Sequence, residues 1–239
     1  MADFINTIDI LGDEVVAGKI VDGSIDEFND NVVTKIGAGV FSYCSNLLSV
    51  NVPNVTVIEN NAFEKSGIKN LSAEKVETIG AFVFRDVRLN SSLNFPVLKT
   101  IGSRSFTDCG LTGFVAPMLE AVPDNALAYF KGKSLSFPVC KTVGTGGFSY
   151  SYISSQPEDS FSSLSLPQVE SIGGNACAYC RDLISVTLPA TPPSLFSTSA
   201  FAGINANCVF HIPAGSLSAY QSATNWAELT GQYTFQEDA

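Results

Sequence analysis

Apolar and polar residues alternate along this chain in short bursts, not in helical stripes. The stretches "LLSVNVP" (47–53), "SLNFP" (92–96), "SLSFP" (134–138), "SLSLP" (163–167) and "LISVTLP" (183–189) each alternate and each end in proline. A period of two predicts strands with one buried face. A proline at the strand end stops the strand without removing an interior ladder bond. A second pattern recurs between these strands. It reads "VTKIGAGVFSYC" from Val33, "VTVIENNAFEKS" from Val55, "VETIGAFVFRDV" from Val76 and "LKTIGSRSFTDC" from Leu98. It continues as "LEAVPDNALAYF" from Leu119, "CKTVGTGGFSYS" from Cys140 and "VESIGGNACAYC" from Val169. The fourth positions, Ile36, Ile58, Ile79, Ile101, Val122, Val143 and Ile172, are spaced by 22, 21, 22, 21, 21 and 29 residues. The long last step marks an insertion, "YSYISSQPEDS", around residues 150–160.

One strand per unit of about 22 residues is the period of a leucine-rich-repeat solenoid. The L-x-x-L-x-L motif stands as Leu47-x-x-Val50-x-Val52 and Leu183-x-x-Val186-x-Leu188. The asparagine that usually follows it is replaced by V-x-x-I-G-x-x-A-F-x-x-C. In these residues the chain resembles the BspA-type leucine-rich-repeat family of bacterial surface proteins, over about residues 33–213. The resemblance implies a mainly β, right-handed coil with one parallel strand and a short second strand segment per repeat, closed by a C-terminal helix. The expected organisation is an N-terminal cap or docking segment (1–32), a solenoid of about seven full repeats and a degenerate last one (33–213), and a capping helix and tail (214–239). "SLSAYQSATNWAEL" (216–229) reads as that helix, with Leu217, Tyr220 and Trp226 packing on the last coil and Ser216 as its N-cap.

Stacked parallel coils place equivalent residues about 4.8 Å apart, so exposed ladders should avoid like charges side by side. The residue after the first of each unit is Thr34, Thr56, Glu77, Lys99, Glu120, Lys141 and Glu170. Its charge alternates over five consecutive coils, which predicts that V-x-x-I is itself a parallel strand segment with an exposed Glu/Lys ladder. The outward positions of the other strand are Ser49, Asn70, Ser92, Gly113, Ser134, Ser163 and Ser185, then Asn51, Ser72, Asn94, Val115, Ser136, Ser165 and Thr187. That face is small, polar and nearly uncharged, suited to a broad contact with a partner or simply to solvent. Tyr150, Tyr152 and Phe161, around the insertion, are the alternative partner contacts.

Composition narrows the chemistry. The chain carries 23 acidic and 13 basic residues, a net charge of −10, and only 15% charged residues. Nucleic-acid binding, which needs clustered Lys and Arg, is not expected. No apolar run approaches the roughly 20 residues of a membrane-spanning helix, and the N-terminal "MADFINTIDILGDEVV" lacks the features of a secretory signal. The acidic "DGSIDEFNDN", with Asp22, Asp26, Glu27 and Asp30, departs from the D-x-[DN]-x-[DN]-G calcium loop and reads as a solvated turn. The glycines Gly37, Gly80, Gly102, Gly144 and Gly173 share one position in the coil, where a tight bend at positive φ is the expected reason.

The single histidine, His211, lies in the alternating "VFHIP" with no acid near it in sequence. One histidine offers poor material for a triad or a metal centre. Cys177-Ala178-Tyr179-Cys180 has the spacing of a redox dithiol or half a zinc site. In register, however, Cys177 stands where Phe41, Phe63, Phe84, Phe106 and Phe148 stand, and Cys180 where Cys44 and Cys109 stand. The spacing belongs to the repeat. Cys44, Cys109 and Cys180 are three coils apart, about 14 Å, beyond the reach of a disulfide. No catalytic, cofactor or metal residues are expected. The expected function is non-catalytic adhesion or recognition of a protein or glycan, by a monomer. The resemblance implies a bacterial surface or host interface, while the missing signal leaves open a phage or prophage component or an intracellular interaction scaffold.

Overall fold

A computed structural model of the protein describes residues 25–89, 91–151 and 161–239. Tyr152, Asp22 and most of the expected N-terminal segment lie outside these residues. The chain winds into stacked coils, and each coil contributes a strand to each of two faces. The first face carries the three-residue strands Glu27–Asn29, Ser49–Asn51, Asn70–Ser72, Ser92–Asn94, Gly113–Val115, Ser134–Ser136, Ser163–Ser165 and Ser185–Thr187, followed by Val209–Pro213. The second carries the two-residue strands Lys35–Ile36, Val57–Ile58, Thr78–Ile79, Thr100–Ile101, Ala121–Val122, Thr142–Val143, Ser171–Ile172 and Ser194–Leu195. Every pairing is parallel, and strands pair with their equivalents in the next coil except between Asn70–Ser72 and Ser92–Asn94, between Gly113–Val115 and Ser134–Ser136, and between Thr100–Ile101 and Ala121–Val122.

Alternation drives both faces. Val50, Val52, Leu183, Val186 and Leu188 point inward and are buried, as are Ile36, Ile58, Ile79, Ile101, Val122, Val143 and Ile172. The six-residue turns between the faces also stack: Phe41 N donates to Ala62 O (2.8 Å) and Tyr43 N to Glu64 O (2.8 Å). Backbone groups are thus satisfied between coils on three sides of the section. Inside, Phe41, Phe63, Phe84 and Phe106 form a continuous ring stack with centroids 5.1–5.4 Å apart. The insertion breaks neither sheet, since Thr142 still pairs with Ser171 and Ser134 with Ser163. Its flanks are pinned in the core. Ser151 donates to Phe148 O (2.7 Å) and accepts from Phe130 N (2.9 Å). Phe161, on the other flank, packs edge-on against Phe130 at 5.7 Å.

The expected charge ladder forms ion pairs at two of its four steps. Lys99 pairs with Glu77 at 2.9 Å and Lys141 with Glu170 at 3.1 Å, and the backbone bonds Glu77 N→Thr56 O, Lys99 N→Glu77 O and Glu120 N→Lys99 O run along it. The glycines differ from expectation. None of Gly37, Gly80, Gly102, Gly144 and Gly173 has positive φ. Instead, a Cβ on Gly80, Gly102 or Gly144 would lie 2.3–2.7 Å from a backbone nitrogen of the preceding coil. Close approach of two backbones, and not a left-handed bend, is what requires glycine there. Positive φ falls two residues later, on Gly39, Asn61, Phe82, Arg104, Asn125, Gly146 and Asn175, at 54–67°. Asp30 also departs from a solvated turn. It is buried, and its Oδ1 accepts from Val32 N (2.6 Å) and Val33 N (2.9 Å).

The C-terminal end closes with two short helices, Leu217–Ser222 and Trp226–Gln232, and the strand Thr234–Asp238. The single expected helix is split at Asn225, whose φ is 65°. Tyr220 and Trp226 are fully buried, and Trp226 Nε1 donates to Pro193 O (2.7 Å), Tyr220 Oη to Pro189 O (2.7 Å). Ser216 sits at the N-cap position, but its hydroxyl donates to Pro213 O. The first helix is capped from the tail instead, Leu217 N donating to Glu237 Oε1 (2.9 Å).

Candidate functional site

On the first face, parallel backbone pairing runs within three successive sheets and leaves alternate side chains pointing out. The register sets Ser49 beside Asn70 and Asn51 beside Ser72. It sets Ser92 beside Gly113 and Asn94 beside Val115. Ser134, Ser163 and Ser185 form one row, and Ser136, Ser165 and Thr187 the next. All twelve expected polar positions are exposed or half-exposed and lie on one surface. The rows extend to Glu27 and Asn29 at one end and to Val209 and His211 at the other. Val115, 54% exposed, is an apolar interruption near the middle. Strand pairing pauses between Asn70–Ser72 and Ser92–Asn94. A shallow depression of about 210 Å³ lies there, lined among others by Ser49, Asn51, Asn70, Ser72 and Ser92.

Of the alternative contacts, Phe161 is fully buried against Phe130 and Phe148. It is part of the core and unavailable to a partner. Tyr150 is 42% exposed. It belongs to a row that the sequence reading did not assemble. One position of the coil is occupied by Tyr43, Lys65, Asp86, Asp108, Tyr129, Tyr150, Tyr179 and Gly203, all with φ between 48° and 68°. Its last three side chains stack. The Tyr129 and Tyr150 ring centroids are 5.4 Å apart with planes at 12°, and those of Tyr150 and Tyr179 are 5.1 Å apart at 17°. The signal was in the sequence, as the tyrosine two positions after the F of V-x-x-I-G-x-x-A-F-x-x-C.

The single histidine and the six cysteines are each engaged within the fold. His211 Nδ1 meets Asp238 Oδ2 at 3.1 Å, so the acid absent from its sequence neighbourhood arrives from the tail strand. All six cysteines are buried and free. Burial pushes Cys44 and Cys140 up to about 11, and Cys109, Cys180 and Cys208 up to about 12. Burial raises Cys177 well above the ordinary thiol value too, with Cys180 and Cys208 adding to the shift. A redox or metal-binding dithiol needs the opposite, an accessible and stabilised thiolate. Cys180 Sγ instead lies 3.0 Å from Phe148 O, as a donor within the core. Among the described residues no group of three or more His, Cys, Asp or Glu is placed to hold a metal ion, and no helix is long and apolar enough to cross a membrane.

Stacked parallel coils with two strand faces, an aromatic-rich core and a helical end cap define the class: a leucine-rich-repeat solenoid. More particularly, the model of the BspA type leucine rich repeat region matches in six copies over residues 24–134 and 149–231, and the chain belongs to that family. Among solved structures, it is similar to a pneumococcal vaccine antigen, PcpA (13% identity, TM-score 0.47, 89% of this chain and 67% of that one). It is also similar to a leucine-rich repeat protein from Bacteroides ovatus (16%, TM-score 0.36, 81% and 64%). A leucine rich cell surface protein from Faecalibacterium prausnitzii is a third (18%, TM-score 0.40, 93% and 62%). The chain thus spans about two thirds or less of these proteins. No curated protein sequence matches it significantly.

Proposed function

We propose that this chain is a non-catalytic recognition module that binds a protein or glycan at a bacterial surface or host interface. The carrying observation is the first face, whose rows of Ser, Asn and Thr are set in register by parallel backbone pairing within each of its sheets. These side chains are spared from the core, pre-positioned, and nearly uncharged. A partner laid across them pays little ordering cost on the module's side. Membership of the BspA type repeat family supports the surface assignment. The burial of all six thiols and the tail-bound His211 support a non-catalytic reading.

An array of immobilised host-matrix proteins and glycans tests it. The module reading expects saturable binding to a defined subset of spots, with no chemical change in the bound material. Absence of binding across both arrays, or turnover of a bound component, would count against it.

A further inference from the structure

The tyrosine row carries more than its chemistry in the fold demands. Its position in the coil is left-handed, a conformation unfavourable for an ordinary residue and least welcome to bulky side chains. Elsewhere in the row the chain uses Tyr43, Lys65, Asp86, Asp108 and Gly203. In three consecutive coils it uses tyrosine. The coils hold them there: Tyr129 N donates to Ser149 O, Tyr150 N to Ala178 O and Tyr179 N to Ala202 O, at 2.8–3.0 Å. The neighbouring Ala128, Ser149 and Ala178 are buried, so each ring is anchored at its base. Yet the rings add nothing to the core, since all three are 42–45% exposed. Bulky residues in a strained conformation, ordered but unburied, point to use at the surface.

We infer that the Tyr129–Tyr150–Tyr179 ridge is a binding site for an extended neutral glycan. The inference rests on the recognition-module reading and names the ligand class and place. Mutual stacking covers the inner ring faces, so the ridge offers ring edges and a row of phenolic hydroxyls, each both donor and acceptor. The rings recur every 5.1–5.4 Å, close to the length of one sugar in an extended β-1,4-linked chain. One sugar per coil can therefore meet one phenol per coil. The area decides against a protein partner on the ridge alone. Three tyrosines exposed by 42–45% present roughly 300 Å², whereas a standard protein interface takes about 800 Å² from each side. Charge decides against a polyanionic glycan, because the chain carries a net −10 and the ridge is continued on one side by Asp108 and Asp86.

The test is calorimetric titration of the intact chain with cellohexaose, chitohexaose, xylohexaose and mannohexaose. Tyr129→Phe, Tyr150→Phe and Tyr179→Phe keep the rings and their stack while removing one hydroxyl each, and thermal melts confirm that each variant is folded. The inference expects binding of at least one probe, weakened about three- to tenfold by each substitution, while Tyr43→Phe, outside the stack, leaves it unchanged. It is overturned if no probe binds, or if the three phenylalanine variants bind as wild type does. A strand-face variant, Asn51→Arg with Asn94→Arg and Ser136→Arg, separates the two readings. Loss of binding there with the ridge variants unaffected sinks the ridge and keeps the module. Protein-array binding without any glycan binding does the same. Silence on every array and probe sinks both.

Discussion

Replacing Gly102 with alanine tests why the repeat carries glycine after its fourth position. The added Cβ would sit 2.3 Å from Ala81 N, 2.5 Å from Gly80 C and 2.6 Å from Ala81 Cα. All three are backbone atoms of the preceding coil, so no side chain can swing away. Relief requires the two coils to part by about 1 Å out of a spacing of about 4.8 Å. The bonds that resist are Lys99 N→Glu77 O (3.0 Å) and Thr100 N→Glu77 O (3.2 Å). Overpacking of this kind costs about 1–3 kcal/mol, and each weakened hydrogen bond up to about 1 kcal/mol. Alanine's smaller unfolded-state entropy returns about 0.4–1 kcal/mol. The net expectation is a loss of up to about 4 kcal/mol.

Two controls isolate the cause. Gly37 holds the same position in the first described coil, where a Cβ meets only Val40 Cγ2 at 3.3 Å. Gly39 has φ +67° and nothing within 4 Å, so Gly39→Ala carries the left-handed penalty alone, about 1–2 kcal/mol less the same entropic return. Urea unfolding followed by circular dichroism should rank Gly102→Ala as the most damaging of the three. A Gly102→Ala protein as stable as the Gly39→Ala protein would refute the clearance argument and restore the bend. Glu59 and Pro123 fill this position in two coils, which shows that the stack accepts a side chain where the local backbone is built around it.

Trp226→Ala should cost about 3–5 kcal/mol, because it empties a fully buried site that also bonds Pro193 O; hydrogen exchange should show the loss concentrated in the last coils. Lys99→Glu places a third carboxylate between Glu77 and Glu120 and should lower the melting temperature at low salt, with added salt recovering part of the loss. The Glu77 carboxylate holds the Lys99 ammonium above its ordinary pKa. That contribution is therefore fully present at neutral pH and lost only as pH rises beyond the usual lysine range, so the wild-type-to-variant gap should shrink there. A disulfide-exchange reagent at pH 8 should label none of the six cysteines rapidly in the native protein and all six after denaturation; fast labelling of Cys177 or Cys180 would contradict the buried assignment.

Much of this architecture was legible because a solenoid writes its third dimension as a period. The spacing of Ile36, Ile58 and Ile79 sets which repeat residues lie beside one another, and it predicts the Glu77–Lys99 pair. What failed was what a letter leaves ambiguous. Glycine marks either a left-handed residue or a close backbone approach, and only the distance from Gly102 to Ala81 separates them. Phe161 looked like the end of a surface insertion, but it holds the register of Leu47 and Leu183, the first position of L-x-x-L-x-L, and that position is core. The tyrosine row was aligned in the sequence all along. Its significance depends on exposure and ring orientation, which are set by the left-handed turns and not by the alternation that locates strands. Ser216 was placed correctly at the helix start, yet the group that caps the helix, Glu237, comes from a tail whose return to the last coil no local pattern announces.

The most direct test of the central claim is the affinity of the array-selected partner for the wild-type chain, for the Asn51→Arg, Asn94→Arg, Ser136→Arg variant and for Tyr150→Phe, each shown to be folded. The account predicts that at least one of the two variants loses about tenfold or more in affinity while the partner is recovered chemically unchanged. Full affinity in both variants, or a partner recovered cleaved or modified, would contradict it.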